Sequence, residues 1–138
     1  MPAEPVFVFD ACAVIALLED EPGAGVVERL LQDAAGRCLI HAVSACEVYY
    51  DLYRRGSRDD AETIDQIFAE YGLEILEAMP SELWRIAGKL KADWRRVSLA
   101  DCFALALTIR EGGTLVTSDH HELDRLAEAG LCPILFIR

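Results

Sequence analysis

Short, unbroken apolar runs alternate along this chain with longer segments whose apolar residues recur every three or four positions. The runs read as strands buried on both faces, and the longer segments as helices with one face in a core. Five runs stand out: Pro5 to Phe9, Cys38 to His41, Leu73 to Leu76, Thr114 to Thr117 and Pro133 to Ile137. The last opens on a proline and is expected at or near a sheet edge. Helices are predicted over Ala11 to Glu19, ended by Asp20-Glu-Pro-Gly23, and over Gly25 to Ala35, with Val26, Val27, Leu30 and Leu31 on one side. Further helices are predicted over Val43 to Arg55, Asp59 to Tyr71, Glu82 to Arg96, Ser98 to Arg110 and His120 to Ala129. Gly56 and the Gly112-Gly113 pair punctuate them. Strands alternating with helices predict an α/β layered fold with a mainly parallel sheet. No repeat, low-complexity tract or linker interrupts the pattern, so one domain over residues 1–138 is expected.

Composition narrows the class. At 53% hydrophobic residues the chain can build a core, which excludes intrinsic disorder. No apolar run approaches the roughly 18 residues of a membrane span. Met1 to Glu4 carries no basic segment and Asp10 interrupts the following apolar stretch, so a signal peptide is not expected. Cys12, Cys38, Cys46, Cys102 and Cys132 are odd in number and none are spaced C-x-x-C, which argues against a disulfide framework and a zinc site. A soluble, cytoplasmic protein is the expectation. The formal net charge of −11 speaks against a nucleic-acid partner. Its distribution softens the objection. Arg85, Lys89, Lys91, Arg95 and Arg96 form one basic window, and Arg54, Arg55 and Arg58 another. They are either local basic surfaces or solvated helix faces.

Ligands of open α/β sheets bind beyond the carboxyl ends of the strands. Asp10 directly follows the first strand and Asp119 the fourth; Glu47 and Asp101 lie in the first turns of their helices. Each also reads as part of a helix cap: Asp10 and Asp119 as N-caps, Ser44 with Glu47 and Ser98 with Asp101 at capping-box spacing. Four acids at one sheet edge would repel one another and need cations. Oxygen-only ligands suit Mg²⁺ or Mn²⁺, and such sites hydrolyse phosphodiesters. Thr117 and Ser118 either orient a ligand or serve the turn. His120 and His121, beside Asp119, are candidates for phosphate or metal contact, a surface helix start explaining them as well. Asp124 is a candidate extra ligand. Asp93 is expected to pair with its basic neighbours, and Trp84 and Trp94 to serve a core or interface.

At these residues the chain resembles the PIN-domain nucleases, and within them the VapC-like toxins, over nearly its whole length. The resemblance rests on Val-Phe-Asp10 and its following apolar helix, Ser-Ala-Cys-Glu47, Ser98-Leu-Ala-Asp101 and Thr117-Ser-Asp119. It implies a three-layer α/β/α sandwich and Mg²⁺- or Mn²⁺-dependent endoribonuclease activity on RNA. It further implies a homodimer, a cognate antitoxin protein, and Asp10, Glu47, Asp101 and Asp119 as the acidic metal-binding quartet. One departure is Cys12, where the family often carries Ser or Thr. It either packs or weakens the site. The Val26-to-Leu31 and Ile64-to-Phe68 helix faces are either antitoxin docking surfaces or core. Among rivals, an aspartyl-nucleophile phosphatase lacks its second acid, since Asp10-Ala11-Cys12 stands in place of Asp-x-Asp. A receiver-type domain lacks an acceptor Asp after Leu73 to Leu76. A PIN-like module that binds RNA or protein without cutting is the alternative.

Overall fold

In the computed structural model, which describes residues 4–33 and 36–138, five strands lie in one fully parallel sheet ordered β3-β2-β1-β4-β5. These are β1 (Val6–Phe9), β2 (Arg37–His41), β3 (Leu73–Leu76), β4 (Thr114–Thr117) and β5 (Ile134–Phe136). Successive strand residues point to opposite faces, and each central strand splits its apolar pairs accordingly. Phe9, Ile40 and Val116 enter one core; Val8, Leu39 and Leu115 enter the other. Helices cover both faces, which is why the strands read as unbroken apolar runs. On the first face lie α1 (Ala11–Leu18), α2 (Ala24–Gln32), α3 (Ala42–Arg54), α4 (Arg58–Glu62) and α5 (Ile64–Tyr71). On the second lie α6 (Ser81–Asp93), α7 (Leu99–Glu111) and α8 (His120–Ala129). The result is the three-layer α/β/α sandwich, with β5 at an edge as its proline foretold.

The strand order reverses between β1 and β4, and their C-terminal ends form the crevice in which open α/β sheets bind ligands. Gly113 lets the two strands enter side by side: a Cβ there would stand 2.5 Å from the Val6 carbonyl oxygen. At the far end, the Asp10 N–H donates to the Val116 carbonyl at 3.1 Å, fixing Asp10 at the mouth of the crevice.

Several expectations are corrected. The helix expected over Asp59 to Tyr71 is two helices, because Thr63 leaves helical geometry and its hydroxyl donates to the Asp59 carbonyl at 2.9 Å; such back-bonding competes with the helix. The helix expected to reach Arg96 ends at Asp93, where the Lys91 ammonium donates to the Arg95 and Val97 carbonyls, both at 2.8 Å, and folds the chain into a loop. Ala34 and Ala35, at the end of the second expected helix, lie outside the described residues, as do the first residues of the Met1-to-Glu4 segment. The Val26-to-Leu31 and Ile64-to-Phe68 faces look inward: Val27, Leu31, Ile64 and Phe68 are buried in the first core, with Val26, Leu30 and Ile67 packed against it.

Candidate metal centre

Each acid at the sheet edge is placed by local backbone chemistry. Asp10 caps α1: its Oδ1 accepts the Ala13 N–H at 3.0 Å and the Cys12 thiol at 3.0 Å. Its Oδ2 is buried and has no hydrogen-bond partner. Asp119 caps α8, its Oδ1 accepting the Glu122 N–H at 3.0 Å, while its own N–H donates to the Thr117 hydroxyl at 3.0 Å. Ser98 caps α7 by accepting the Asp101 N–H at 3.2 Å. The return bond of a capping box is made by a different acid: the Ser98 N–H donates to Glu122 at 3.2 Å. Asp101 is thereby released from capping and turns to the cluster.

The second expected capping box does not form. Helix α3 begins before Ser44, and its cap is His41, whose Nδ1 accepts the Val43 N–H at 3.1 Å. Ser44 is buried, its hydroxyl without a partner. Glu47 is thus free of capping as well and lines a cavity of about 310 Å³ together with Cys12, Tyr50, Asp101, Asp119 and Glu122.

Carboxylate oxygens of Asp101, Asp119 and Glu122 all lie within 4.8 Å of one another. Asp10, its residue 1% exposed, carries a charge felt by Asp101 and Glu47. Of the four acids expected from the sequence, Asp101 and Asp119 converge directly and Glu47 lines the same cavity; Asp10 does not line it and is buried next to Cys12, which does. Burial raises the Asp10 pKa, against the lowering influence of bonds from Thr117, Cys12 and Ala13. Burial first, then the charges of Asp10 and Glu122, raise that of Glu47. Asp101 is raised by burial, by its hydrogen bond to Glu122 and by its acidic neighbours, while Glu122 is lowered by that same bond. The two shifts run in opposite directions because one hydrogen bond links the pair.

Glu122 is the acid that the sequence reading missed. It stands three residues after Asp119, on the N-cap's own side of the helix, whereas Asp124 falls on the opposite side. Asp124 instead meets His120 at 2.7 Å. His120 is likewise directed away from the cavity. Its Nε2 bonds the Arg138 carbonyl at 2.8 Å and its ring stacks on Phe136 with centroids 4.1 Å apart, so it tethers the C-terminus. These bonds raise its pKa.

Cys12 lines the cavity and is held at three points: it donates to Asp10, faces the Thr117 hydroxyl at 3.5 Å, and accepts the Ser118 N–H at 3.4 Å. Burial and the Asp10 charge push its thiol up to about 12, so it remains a neutral donor. Thr117 thus holds the Asp119 backbone and faces Cys12, and Ser118 contributes through its N–H.

The donor set tests well against a divalent cation. Three clustered carboxylates, a fourth on the wall and a buried, unpartnered carboxylate oxygen supply hard oxygen ligands and no competing His or Cys nitrogen or thiolate. An unpaired buried carboxylate oxygen is costly, and a cation offsets that cost.

A parallel sheet with acids at its switch point defines an α/β protein with a carboxylate site. The chain belongs to the PIN-domain family, whose model matches residues 7–129. Among solved structures it is similar to the DNA-bound VapBC of Salmonella typhimurium, with TM-score 0.73, 16% identity, and coverage of 97% of this chain and 99% of that one. It is also similar to VapBC2 of Rickettsia felis bound to a promoter DNA fragment, with TM-score 0.72, 16% identity and coverage of 95% and 98%. PAE2754 of Pyrobaculum aerophilum follows with TM-score 0.60, 20% identity and coverage of 95% and 90%. Comparison with curated proteins finds no match. No helix among the described residues is long and apolar enough to cross a membrane.

Proposed function

We propose that the chain is a Mg²⁺- or Mn²⁺-dependent endoribonuclease and the toxin of a toxin–antitoxin pair, working as a homodimer in the cytoplasm. The observation that carries the hydrolytic reading is the convergence of Asp101, Asp119 and Glu122, with the buried, unpartnered Oδ2 of Asp10 as a further oxygen whose charge is felt by Asp101. Asp10, Asp101, Asp119 and Glu122 would hold the metal, with Glu47 reaching it from the α3 wall, directly or through water. When bound there, divalent ions supply Lewis-acid activation of water and stabilisation of a leaving phosphodiester oxygen. The chain's own share is positional. Helix caps fix Asp10 and Asp119, the Ser98–Glu122 bond aligns α7 with α8, and the Cys12 thiol orients Asp10. The partner reading is supported by similarity to the VapBC structures and to one described as a toxin–antitoxin complex from Klebsiella pneumoniae, at 14% identity.

The test is cleavage of total RNA by purified protein with Mg²⁺ or Mn²⁺, beside EDTA and an Asp10→Asn variant. Asn keeps the cap acceptor for Ala13, so the variant folds. The expected outcome is a set of defined fragments with metal, none with EDTA, and a loss of at least about 100-fold in the variant. Folded protein, freed of any bound peptide, that cuts no RNA with either metal would overturn the reading. It would favour the module that binds without cutting, with Cys12 in place of a hydroxyl as the first residue to reverse.

A further inference from the structure

Beside the acidic cavity, and sharing Glu122 with it, lies a second cleft of about 530 Å³ between the loop after α6 and the exposed side of α8. Its lining includes Trp94, Arg95, Arg96, His121 and Arg125, with Asp93 and Glu122 as its only carboxylates among the described residues. This is an unusual concentration of cations on a chain of net charge −11. The basic residues elsewhere are largely engaged. Arg54 and Arg55 both clamp the buried Asp51 at 2.7 Å, and Arg58 lies over the Tyr53 ring. Arg37 pairs with Glu74, Arg110 with Glu111, and Arg138 with Glu21. Among the described residues, Arg95, Arg96 and Arg125 enter no ion pair.

The cleft is also built rather than incidental. Lys91 spends its ammonium on two loop carbonyls, Arg95 and Val97, and the Val97 N–H closes a turn on the Trp94 carbonyl at 3.0 Å. The Ser98 N–H then ties the end of the loop to Glu122 of α8. The two arginine-bearing walls are therefore fixed to each other through the same acid that joins the cleft to the carboxylate cavity. Unpaired guanidinium groups carried on two walls tied to each other suit phosphate oxygens, which they bind in a bidentate manner.

We propose that this cleft holds the phosphodiester backbone of a single polynucleotide strand beside the phosphate presented to the acid cluster, with Arg95, Arg96 and Arg125 on the phosphates. The proposal rests on the nucleic-acid reading above and extends its site to the phosphates flanking the one presented to the acid cluster, since the two cavities adjoin through Glu122. It also accounts for how an acidic protein approaches a polyanion, by a short cationic track that ends at the metal site. Contacts to flanking phosphates bind substrate and transition state alike, so they lower KM and leave kcat alone.

The experiment uses the full chain and an Arg95→Gln/Arg125→Gln double variant. An Arg29→Gln/Arg58→Gln variant makes the same charge change on α2 and α4, away from the cleft. Strand binding is read by fluorescence anisotropy of a short labelled single-stranded RNA, and of DNA of the same sequence, in the Asp10→Asn background so that the strand stays whole. Cleavage kinetics are read with Asp10 intact. The cleft variant is expected to weaken strand binding and raise KM about tenfold, with kcat within about twofold, and to reduce the log–log salt slope by about 1.4, near 0.7 for each lost phosphate contact. The control pair keeps the wild-type values. Wild-type protein that binds and cuts while the cleft variant behaves like the control overturns the cleft and leaves the nuclease reading standing. Binding that depends on the arginines without any cutting supports the cleft and sinks hydrolysis. Absence of both binding and cutting overturns the two together. A preference between the RNA and DNA arms assigns the source of the backbone, and either preference supports the cleft.

Discussion

Asp10 and Asp119 each cap a helix and also belong to the acid cluster, because a carboxylate has more acceptor positions than a cap requires. Asp10 gives one oxygen to Ala13 and keeps the other bare. The cap and ligand readings of the sequence are therefore not alternatives at these positions. Glu122 goes further and carries the connection between α7 and α8 as well as facing Asp101. Glu122→Gln should separate these roles. The amide oxygen still accepts from Ser98 and its NH₂ can donate to Asp101, so the thermal midpoint of the metal-free variant should match or exceed that of wild type. Metal affinity and RNA cleavage should fall by about 10- to 100-fold. Calorimetric titration with Mn²⁺ beside a cleavage assay checks both; unchanged affinity would remove Glu122 from the site. This residue was hidden in the sequence because an acid in the first turn of a helix is commonplace. The hint was its Asp-x-x-Glu spacing from Asp119, which only the structure couples to Ser98.

Strands were more legible than helix ends. A parallel sheet covered on both faces leaves continuous apolar runs, and all five were read to within a residue or two. The ends that departed from expectation are set by side chains bonding backbone at a distance no periodicity reveals: Thr63 splitting α4 from α5, Lys91 folding the loop after α6, His41 starting α3. His41 has a measurable consequence. It is buried, it accepts through Nδ1, and it stacks on Phe103 with centroids 5.1 Å apart. Burial, aided by the Arg110 charge, lowers its pKa from 6.5. The unfolded chain thus takes up a proton near pH 6.5 that the folded chain refuses, so folded stability falls as pH drops below that value, by at most about 1.4 kcal/mol per pH unit, until the folded pKa is reached. His41→Asn retains a good cap acceptor but does not titrate. Losing the stack lowers its stability by a constant amount, and the gap to wild type should narrow as pH falls from 7 to 5. Urea melts at three pH values check this; a gap independent of pH would show that His41 does not carry the effect.

At the scale of the whole molecule, the formal charge of −11 and the gathered acids make the metal-free fold one that is partly opposed by its own site. The raised carboxyl pKa values of Asp10, Glu47 and Asp101 mean that folding retains protons which the unfolded chain releases. That contribution to stability is present below the ordinary carboxylate range and is lost as pH rises. A divalent ion replaces those protons, and because its ligands must be deprotonated its stabilising effect should grow with pH. At one hundred times its dissociation constant, a ligand selective for the folded state adds about 2.7 kcal/mol. For a chain of this length that is roughly 9 °C in thermal midpoint. Mg²⁺ or Mn²⁺ should therefore raise the midpoint by about that amount at pH 8 and by less at pH 6, EDTA should reverse it, and Asp10→Asn should abolish most of it. Equal amounts of ionic strength added as KCl separate site binding from general screening, since screening relieves the whole negative surface and would act alike on wild type and variant. A midpoint that responds to KCl as strongly as to Mg²⁺ would assign the effect to net charge alone. A response confined to divalent ions and to intact Asp10 would tie the folded state's stability to the carboxylate cluster at the β1–β4 crevice.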